Sequence, residues 1–498
     1  VVPRSDLPDD AKVIPGLWVF TITRRPDGSL SKFKGRFCVQ GQLMEKGVHY
    51  DHSYSPVVGW PTVRAAMMLA ASLGWETRQV DFQNAFCQAT QKEPLFINLP
   101  PLYKVQGREH EDLVLRLKKS LYGTATAPRM FYEHLKEGLE SLGFVPSESD
   151  QCLFIHRELQ VMALSYVDDL IWIAKDGSNI TKLVKALQDK GYLLTMEDSV
   201  DMFEFLGIDI KHKGDTVEFS QAGLTKKVLN YTKMTNASHK DTPAALEPIG
   251  SDPNGEPFNE EWSYPAAVGM LLYLSSNSRP DIQYAVHSAA RHTHNPKKSH
   301  GQAVKRICRY LAGTVGKGII FTPDLKAGLD CYADADFCGL YSAEDHQDPV
   351  SVRSRTGFVL TLFGCPILWS SKLQTEISLS TVAAEYVAFS SAMRELLPMR
   401  ALLKEISEAM QLELVKESLV RSTVFDDSTG CLSLVNVPRM SPRNKYLALK
   451  YHFFREHIGE SKGIVAKYIS TKLQKADIFT KSLAGDAFKS IRKLLMGW

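Results

Sequence analysis

The stretch LSYVDDLIWIA, Leu164 to Ala174, decides how the chain folds. Two adjacent carboxylates, Asp168 and Asp169, interrupt apolar runs rich in aromatic and β-branched residues. That pattern predicts two short strands joined by a tight turn with the Asp pair at the turn. Two carboxylates about 4 Å apart repel by roughly 4 kcal/mol at an effective dielectric near 20. A neutral turn would avoid that cost, so positive charge is expected nearby, although Asp is also a common turn residue for purely local reasons.

Working outward, the chain has 498 residues, 44% hydrophobic and 23% charged, which is globular composition with a length prior of about three domains. No apolar run reaches the roughly 20 residues of a membrane span, and Ala65 to Trp75 reads as a core helix. The eight cysteines lack paired spacing, which argues against a zinc module and a disulfide framework. With no basic-apolar leader before Val1, the expectation is a protein that is not secreted. Net charge is only +3, but basic residues gather in two tracts. One holds Arg291, Lys297, Lys298, Lys305, Arg306, Arg309 and Lys317; the other runs from Arg439, Arg443 and Lys445 through Lys450 to Lys475. Such tracts suit a phosphate backbone or, more blandly, a solvated helix face.

Expected elements are strands at Leu17–Thr23 and Phe33–Val39 around a Pro26-Asp27-Gly28 turn, a helix at Val63–Leu73, a strand at Gln79–Phe82 and a helix from Met130 to Leu142 ended by Gly143. After the hairpin come a helix at Ile180–Lys190, strands at Phe203–Lys211 and Thr216–Phe219, and a helix at Leu224–Met234. A turn-rich linker covers Thr242–Asn259, followed by helices at Glu261–Ser275 and Asp281–Leu311. From Leu329 the pattern is strand, strand, strand, helix, strand, helix.

A second acid lies in QVDFQNAF, where Asp81 ends a strand before Phe86. Metal-assisted nucleotidyl transfer needs acids from two neighbouring strands, and Asp81 with Asp168 meets that need. KFKGRFCVQGQ, QVDFQNAF, KKSLYGTATAPRMFY, LSYVDDLIWIA and FEFLGIDI, in this order, resemble the reverse transcriptase of copia-type retrotransposon Pol polyproteins. SRPDIQYAV, RICRYLAGT, CYADADFCG, ILWSSK, STVAAEYVAFS, KYHFFRE and KADIFTKSL resemble the connection and ribonuclease H region of the same family.

The resemblance implies an α+β and α/β multidomain protein: a right-hand polymerase with fingers, palm and thumb over residues 1–240, a linker and helical connection over 241–325, and an RNase H-like mixed five-stranded sheet with helices over 326–498. It implies Asp81 and Asp168 as metal ligands with Asp169 the third acid, and Lys34 and Arg36 at the triphosphate of the incoming nucleotide. Phe86 takes the place of the aromatic gate against a ribose 2′-hydroxyl. Gly123, grouped with the nucleotide-binding residues, and Pro128, grouped with primer and template, match a template-contacting turn; Phe205, Leu206 and Gly207 match a hairpin supporting the primer end. Asp334, Glu385, Asp427 and Asp477 match the ribonuclease H metal ligands, with Asp336 and Asp426 read as structural and Asp426 expected to point away from Asp427.

Implied cofactors are two Mg²⁺ ions per active site, with Mn²⁺ an alternative. Implied partners are an RNA template, a DNA primer, the RNA-DNA hybrid and dNTPs, with no membrane, the chain being excised from or part of a larger polyprotein with an integrase. The expected location is the cytoplasm, in a virus-like particle, with a nuclear phase. Departures from the family pattern are Thr124-Ala125-Thr126 in place of Leu-Lys-Gln, Tyr446-Leu447-Ala448 in place of His-Ile-Asp, and Asp427-Ser428-Thr429 in place of Asp-Asn-Gln. They motivate a competing reading, a degenerate or domesticated relic that folds and binds nucleic acid without catalysis.

Overall fold

A computed structural model describes the chain apart from residues 10, 25–29, 198–201, 342, 345–347, 414–415, 438–446 and 448. The Pro26-Asp27-Gly28 turn, Arg439, Arg443, Lys445, Tyr446 and Ala448 therefore lie outside the described residues. The molecule is a mixed α/β multidomain protein with several separate sheets. It divides into two compact units, one of Val1–Val58 with Glu76–Ser199, the other of Gly59–Trp75 with Val200–Trp498. The early helix α1 (Trp60–Leu73) thus belongs to the second unit.

In the first unit, β1 (Gly16–Arg24) and β2 (Leu30–Val39) form a two-stranded hairpin. Strand alternation puts Lys32, Lys34 and Arg36 on one face of β2 and Phe33 and Phe37 on the other. A six-stranded antiparallel sheet has at its centre β3 (Glu76–Phe82), β4 (Val161–Tyr166) and β5 (Asp169–Ala174), with β5 between the other two. Leu170, Trp172 and Ala174 point to one face, where Phe131, Leu135 and Leu139 of α2 (Ala127–Glu140) and Ile180 and Leu187 of α3 (Gly177–Asp189) cover them. Helix α3 starts three residues before the expected Ile180 because the Asp176 carboxylate accepts from the Ser178 N–H (2.9 Å), a cap that stabilises by about 1 kcal/mol.

In the second unit, the expected strand Phe203–Lys211 is two strands, Met202–Phe205 and Ile208–Lys213. They fold back on each other at Leu206 (φ 52°) and Gly207 (φ 73°), and two positive φ angles in a row make the tight twist-matched turn of a hairpin. The expected helix Asp281–Leu311 is also two elements, α5 (Gln283–Ala290) and α6 (Lys298–Ala312), the chain breaking where Pro296 denies the helix a backbone donor. With α4 (Tyr264–Asn277) they form the helical part of this unit. Arg64 of α1 is buried there; its guanidinium donates to the carbonyls of Ile367 (2.7 Å), Ser276 (2.7 Å) and Asn277 (3.1 Å) and lies 4.1 Å from the Trp369 ring centroid. Two of those carbonyls close α4, where the helix dipole favours a cation. Burial nevertheless pushes the guanidinium down to about 9.

The C-terminal sheet runs in the order β8-β7-β6-β9-β10, from β6 (Leu329–Asp336), β7 (Arg355–Leu362), β8 (Cys365–Leu373), β9 (Ser422–Asp426) and β10 (Ile464–Tyr468). The first three are antiparallel neighbours, while β9 pairs in parallel with both β6 and β10. The sheet is five-stranded and mixed, as expected, although β10 carried no strand assignment from sequence. The long helix α7 (Thr381–Ala409) packs its Ala384 and Ala388 against Ala335 of β6.

Candidate functional sites: two carboxylate clusters

The first cluster is built by strand pairing. Asp81 of β3 lies directly across from Asp169 of β5, so a single sheet brings the two motifs together. Asp168 stands in the β4–β5 turn beside Val167, whose φ of 59° a β-branched residue rarely adopts. Such a conformation costs on the order of 1–3 kcal/mol and is kept only where packing imposes it; fully buried strands on either side do so here. The Asp81 carboxyl is raised by partial burial and by Asp168, while Lys34 and Lys32 on β2 oppose the shift. The expected positive charge is thus present, and Lys32 was missed although its spacing from Lys34 and Arg36 puts it on the same strand face.

Arg36 lies over the Tyr122 ring at 5.2 Å, and Tyr122 in turn lies 5.0 Å from Phe86. Tyr122 was quoted within KKSLYG but given no role from sequence; burial raises its hydroxyl pKa against the pull of Arg36. Phe86, on the short helix Ala85–Gln88, also has its ring centroid 6.3 Å from that of the core residue Phe131, so it packs on the core on one side and on Tyr122 on the other. Gly123 has φ 88°, and a Cβ there would meet the Val39 carbonyl oxygen at 2.1 Å, which ties the turn to the end of β2. Pro128 opens α2, and its carbonyl accepts from the Ser55 hydroxyl (3.2 Å). Thr124 and Thr126 are buried, whereas Ala125 is half-buried. Phe205, Leu206 and Gly207 lie in the second unit, Phe205 buried and the Leu206 carbonyl accepting from Tyr273 (2.7 Å).

The second cluster converges from four elements. Asp334 comes from β6, Asp427 follows β9, Asp477 opens the short helix Asp477–Thr480, and their carboxylate oxygens lie within 4.8 Å of one another. The Asp477–Thr480 helix can lie against β7 because position 357 is glycine: a Cβ there would come within 2.6 Å of the Thr480 methyl. Glu385 of α7 is outside this group of three, yet near enough for their charges to act on it. Burial first, then Asp334, Asp426 and Asp427, push its carboxyl up to about 10, so at neutral pH it holds a proton. Asp477 is pushed up to about 7 by burial and Asp334, and Asp334 is raised by burial.

Sequence reasoning missed the groups that answer this charge. The Lys481 ammonium lies 3.1 Å from Asp477 and 4.0 Å from Asp334, and those carboxylates hold its pKa above the usual value despite burial. Thr480 donates its hydroxyl to Asp334, and Thr471 donates to Asp427 (2.6 Å). The i, i+4 spacing from Asp477 was the available signal for Lys481. Asp426 has the structural role expected of it and an electrostatic one besides. It does cap its turn, accepting from the Ser428 N–H (2.7 Å), but it is also fully buried and helps raise Glu385. Asp336 is raised by burial, with Lys481 and Arg355 acting against that shift. Oxygen-only donor sets of this kind suit hard divalent cations, and Asp334, Asp427 and Asp477 could hold one.

Residues 3–246 match the family model described as reverse transcriptase (RNA-dependent DNA polymerase). The chain is 32% identical over 488 residues to the Retrovirus-related Pol polyprotein from transposon RE2 of Arabidopsis thaliana, covering 98% of this chain and 32% of that protein. It is likewise 32% identical over 506 residues to the Retrovirus-related Pol polyprotein from transposon TNT 1-94 of Nicotiana tabacum, covering 98% of this chain and 36% of that one. The chain belongs to the copia-type retrotransposon Pol family. It spans about a third of the length of these relatives.

Proposed function

We propose that the chain is an RNA-directed DNA polymerase with an appended ribonuclease H, copying retrotransposon RNA into DNA. The observation that carries this reading is the meeting of Asp81 with Asp168 and Asp169 at one end of a sheet, with the cationic face of β2 turned toward Asp81. Residues 1–240 then supply fingers, palm and thumb, 241–325 the connection, and 326–498 an RNase H-like domain, whose strand order with two parallel additions supports the assignment.

Asp81 and Asp168 would hold Mg²⁺ at the first cluster, and Asp334, Asp427, Asp477 and Glu385 at the second. When bound, the metal lowers the pKa of the attacking hydroxyl or water and neutralises charge on the phosphate. Lys32, Lys34 and Arg36 meet the triphosphate of the dNTP, with Tyr122 fixing the Arg36 guanidinium. Phe86 lies under the sugar and excludes a 2′-hydroxyl; Gly123 sets the turn beside it, and Pro128 the template side. Phe205, Leu206 and Gly207 support the primer terminus. The primer 3′-hydroxyl attacks the α-phosphate in line and pyrophosphate leaves. At the second cluster, Lys481 stands against Asp477 and Asp334, the carboxylates that would hold the cation, and Glu385 carries a proton there.

The deciding experiment is extension of a DNA primer on an RNA template with Mg²⁺, followed by RNA release from the resulting hybrid. Full-length product and shortened RNA are expected. A folded chain that binds primer-template and Mg²⁺ yet extends nothing would instead establish the relic reading.

A further inference from the structure

Three of the seven cations of the first basic tract are already neutralised. Arg291 pairs with Glu344 (2.7 Å), Lys298 with Glu256 (2.8 Å) and Lys305 with Glu260 (2.5 Å). Arg306 and Arg309 have no carboxylate partner among the described residues, and one turn apart on α6 they line the same cavity of about 410 Å³. The opposite wall is the segment 240–249, which the sequence presents as a linker. It is held rather than loose: Arg306 donates to Thr242 (2.9 Å), His300 shares a hydrogen bond with the Gly250 carbonyl (2.8 Å), Ser482 donates to the Leu246 carbonyl (2.8 Å) and Lys489 pairs with Asp241 (2.7 Å). Between the anchors at Thr242 and Gly250 the segment stands off α6, and the cavity is the space beneath it.

The lining has two characters. Pro243, Pro248, Ala303 and Ile307 make apolar walls, while Lys240, Arg306 and Arg309, with Lys305 already paired to Glu260, add cations against a single lining acid, Glu247. A cavity of this size with apolar walls and a few convergent charges has the form of a small-ligand site. Guanidinium groups select planar or tetrahedral oxyanions, phosphate above all. An apolar slot beside a phosphate-selective edge is complementary to an aromatic base joined to a phosphate. We infer that the space between α6 and the 240–249 segment is a binding site for one nucleotide, lined by none of the carboxylates of either cluster. The nucleotide has two sources, a free mononucleotide or one residue of a bound strand.

The full chain is titrated calorimetrically in EDTA with AMP, with inorganic phosphate, and with a twelve-residue single-stranded RNA. Wild type should bind AMP, and phosphate more weakly. The Lys240→Gln, Arg309→Gln double variant should weaken AMP at least tenfold. Ala303→Leu, which fills the apolar wall and keeps every charge, should weaken AMP by a similar factor while leaving phosphate binding unchanged. Circular dichroism and melting establish that both variants fold. If the RNA competes with AMP and loses affinity in the double variant, the occupant is a strand residue; if RNA binding is unaffected while AMP binding falls, it is a free nucleotide. Absence of AMP binding in wild type, or equal AMP binding in wild type and both folded variants, would overturn the site.

Discussion

The two carboxylate clusters use the same residue types under opposite conditions. At Asp81 and Asp168 the acids lie at the exposed end of a sheet, opposed by Lys32 and Lys34 from a separate hairpin. At Asp334, Asp427 and Asp477 two of the three are buried, and the answering cation, Lys481, lies four residues from Asp477. In the first case water and distance limit the repulsion. In the second, burial converts it into proton uptake, with Glu385 protonated and Asp477 near the midpoint at neutral pH. On the proposed function, a cation would enter the open cluster directly, whereas the closed one would first have to shed protons and displace a lysine.

The largest expected effect tests the open cluster. Asp81→Asn or Asp168→Asn removes charge stabilisation of several kcal/mol, so primer extension should fall by about 10³-fold or more while melting stays near wild type. Near-normal extension by either variant would remove these residues from the proposed site.

Next in size, Glu385→Gln should abolish RNA release from a hybrid and spare DNA synthesis. It also tests the proton account. The folded state keeps a proton that the unfolded state loses near the ordinary glutamate value of 4.5, so stability in EDTA falls as pH rises from there toward about 10. The slope is at most about 1.4 kcal/mol per pH unit. Glu385→Gln should flatten the decline in melting temperature with pH and raise melting at pH 8; an unchanged profile would place the proton elsewhere. Added Mg²⁺ should likewise raise wild-type melting at pH 8, and Asp334→Asn should remove most of that gain.

Phe86→Ala should cost ribonucleotide discrimination, by about 10²-fold if the ring is the barrier to a 2′-hydroxyl. Its contact with Phe131 predicts a small loss of stability as well, so discrimination must be compared at matched folded fraction. Unchanged selectivity would leave Phe86 as a core residue. The smallest effect concerns the Thr124–Thr126 departure. Thr124 and Thr126 are too buried to accept Leu and Gln without overpacking, but Ala125→Lys is compatible with its half-buried position. It should steepen the salt dependence of template binding by about 0.7–0.9 units, as one added phosphate contact does. No change in slope would mean that position 125 does not face the template.

The hairpin around Asp168 was legible because its signal is local: two apolar runs rich in aromatic and β-branched residues around a two-residue turn. Pairing of Asp81 with it was legible only through the resemblance, since nothing in a short apolar strand states its partner. Errors fell where one periodicity hid a break, as at Leu206-Gly207 and Pro296. They also fell at the edge strand β10, Ile464–Tyr468, which received no assignment although its first three residues are apolar.

By itself the sequence determined the hairpin around Asp168, the order of the motifs and the family, because propensity, turn chemistry and motif order are properties of neighbouring residues. Only the tertiary structure decided that Lys32 and Lys34 face Asp81 and that Lys481 and Asp426 join the second cluster. It also decided that Arg64 is buried among carbonyls and that the 240–249 segment roofs a cavity rather than linking two domains loosely. The physical reason is common to these cases. Burial and charge proximity arise between residues far apart in the chain, and the same lysine or aspartate has a different meaning once its water has been replaced by another part of the protein.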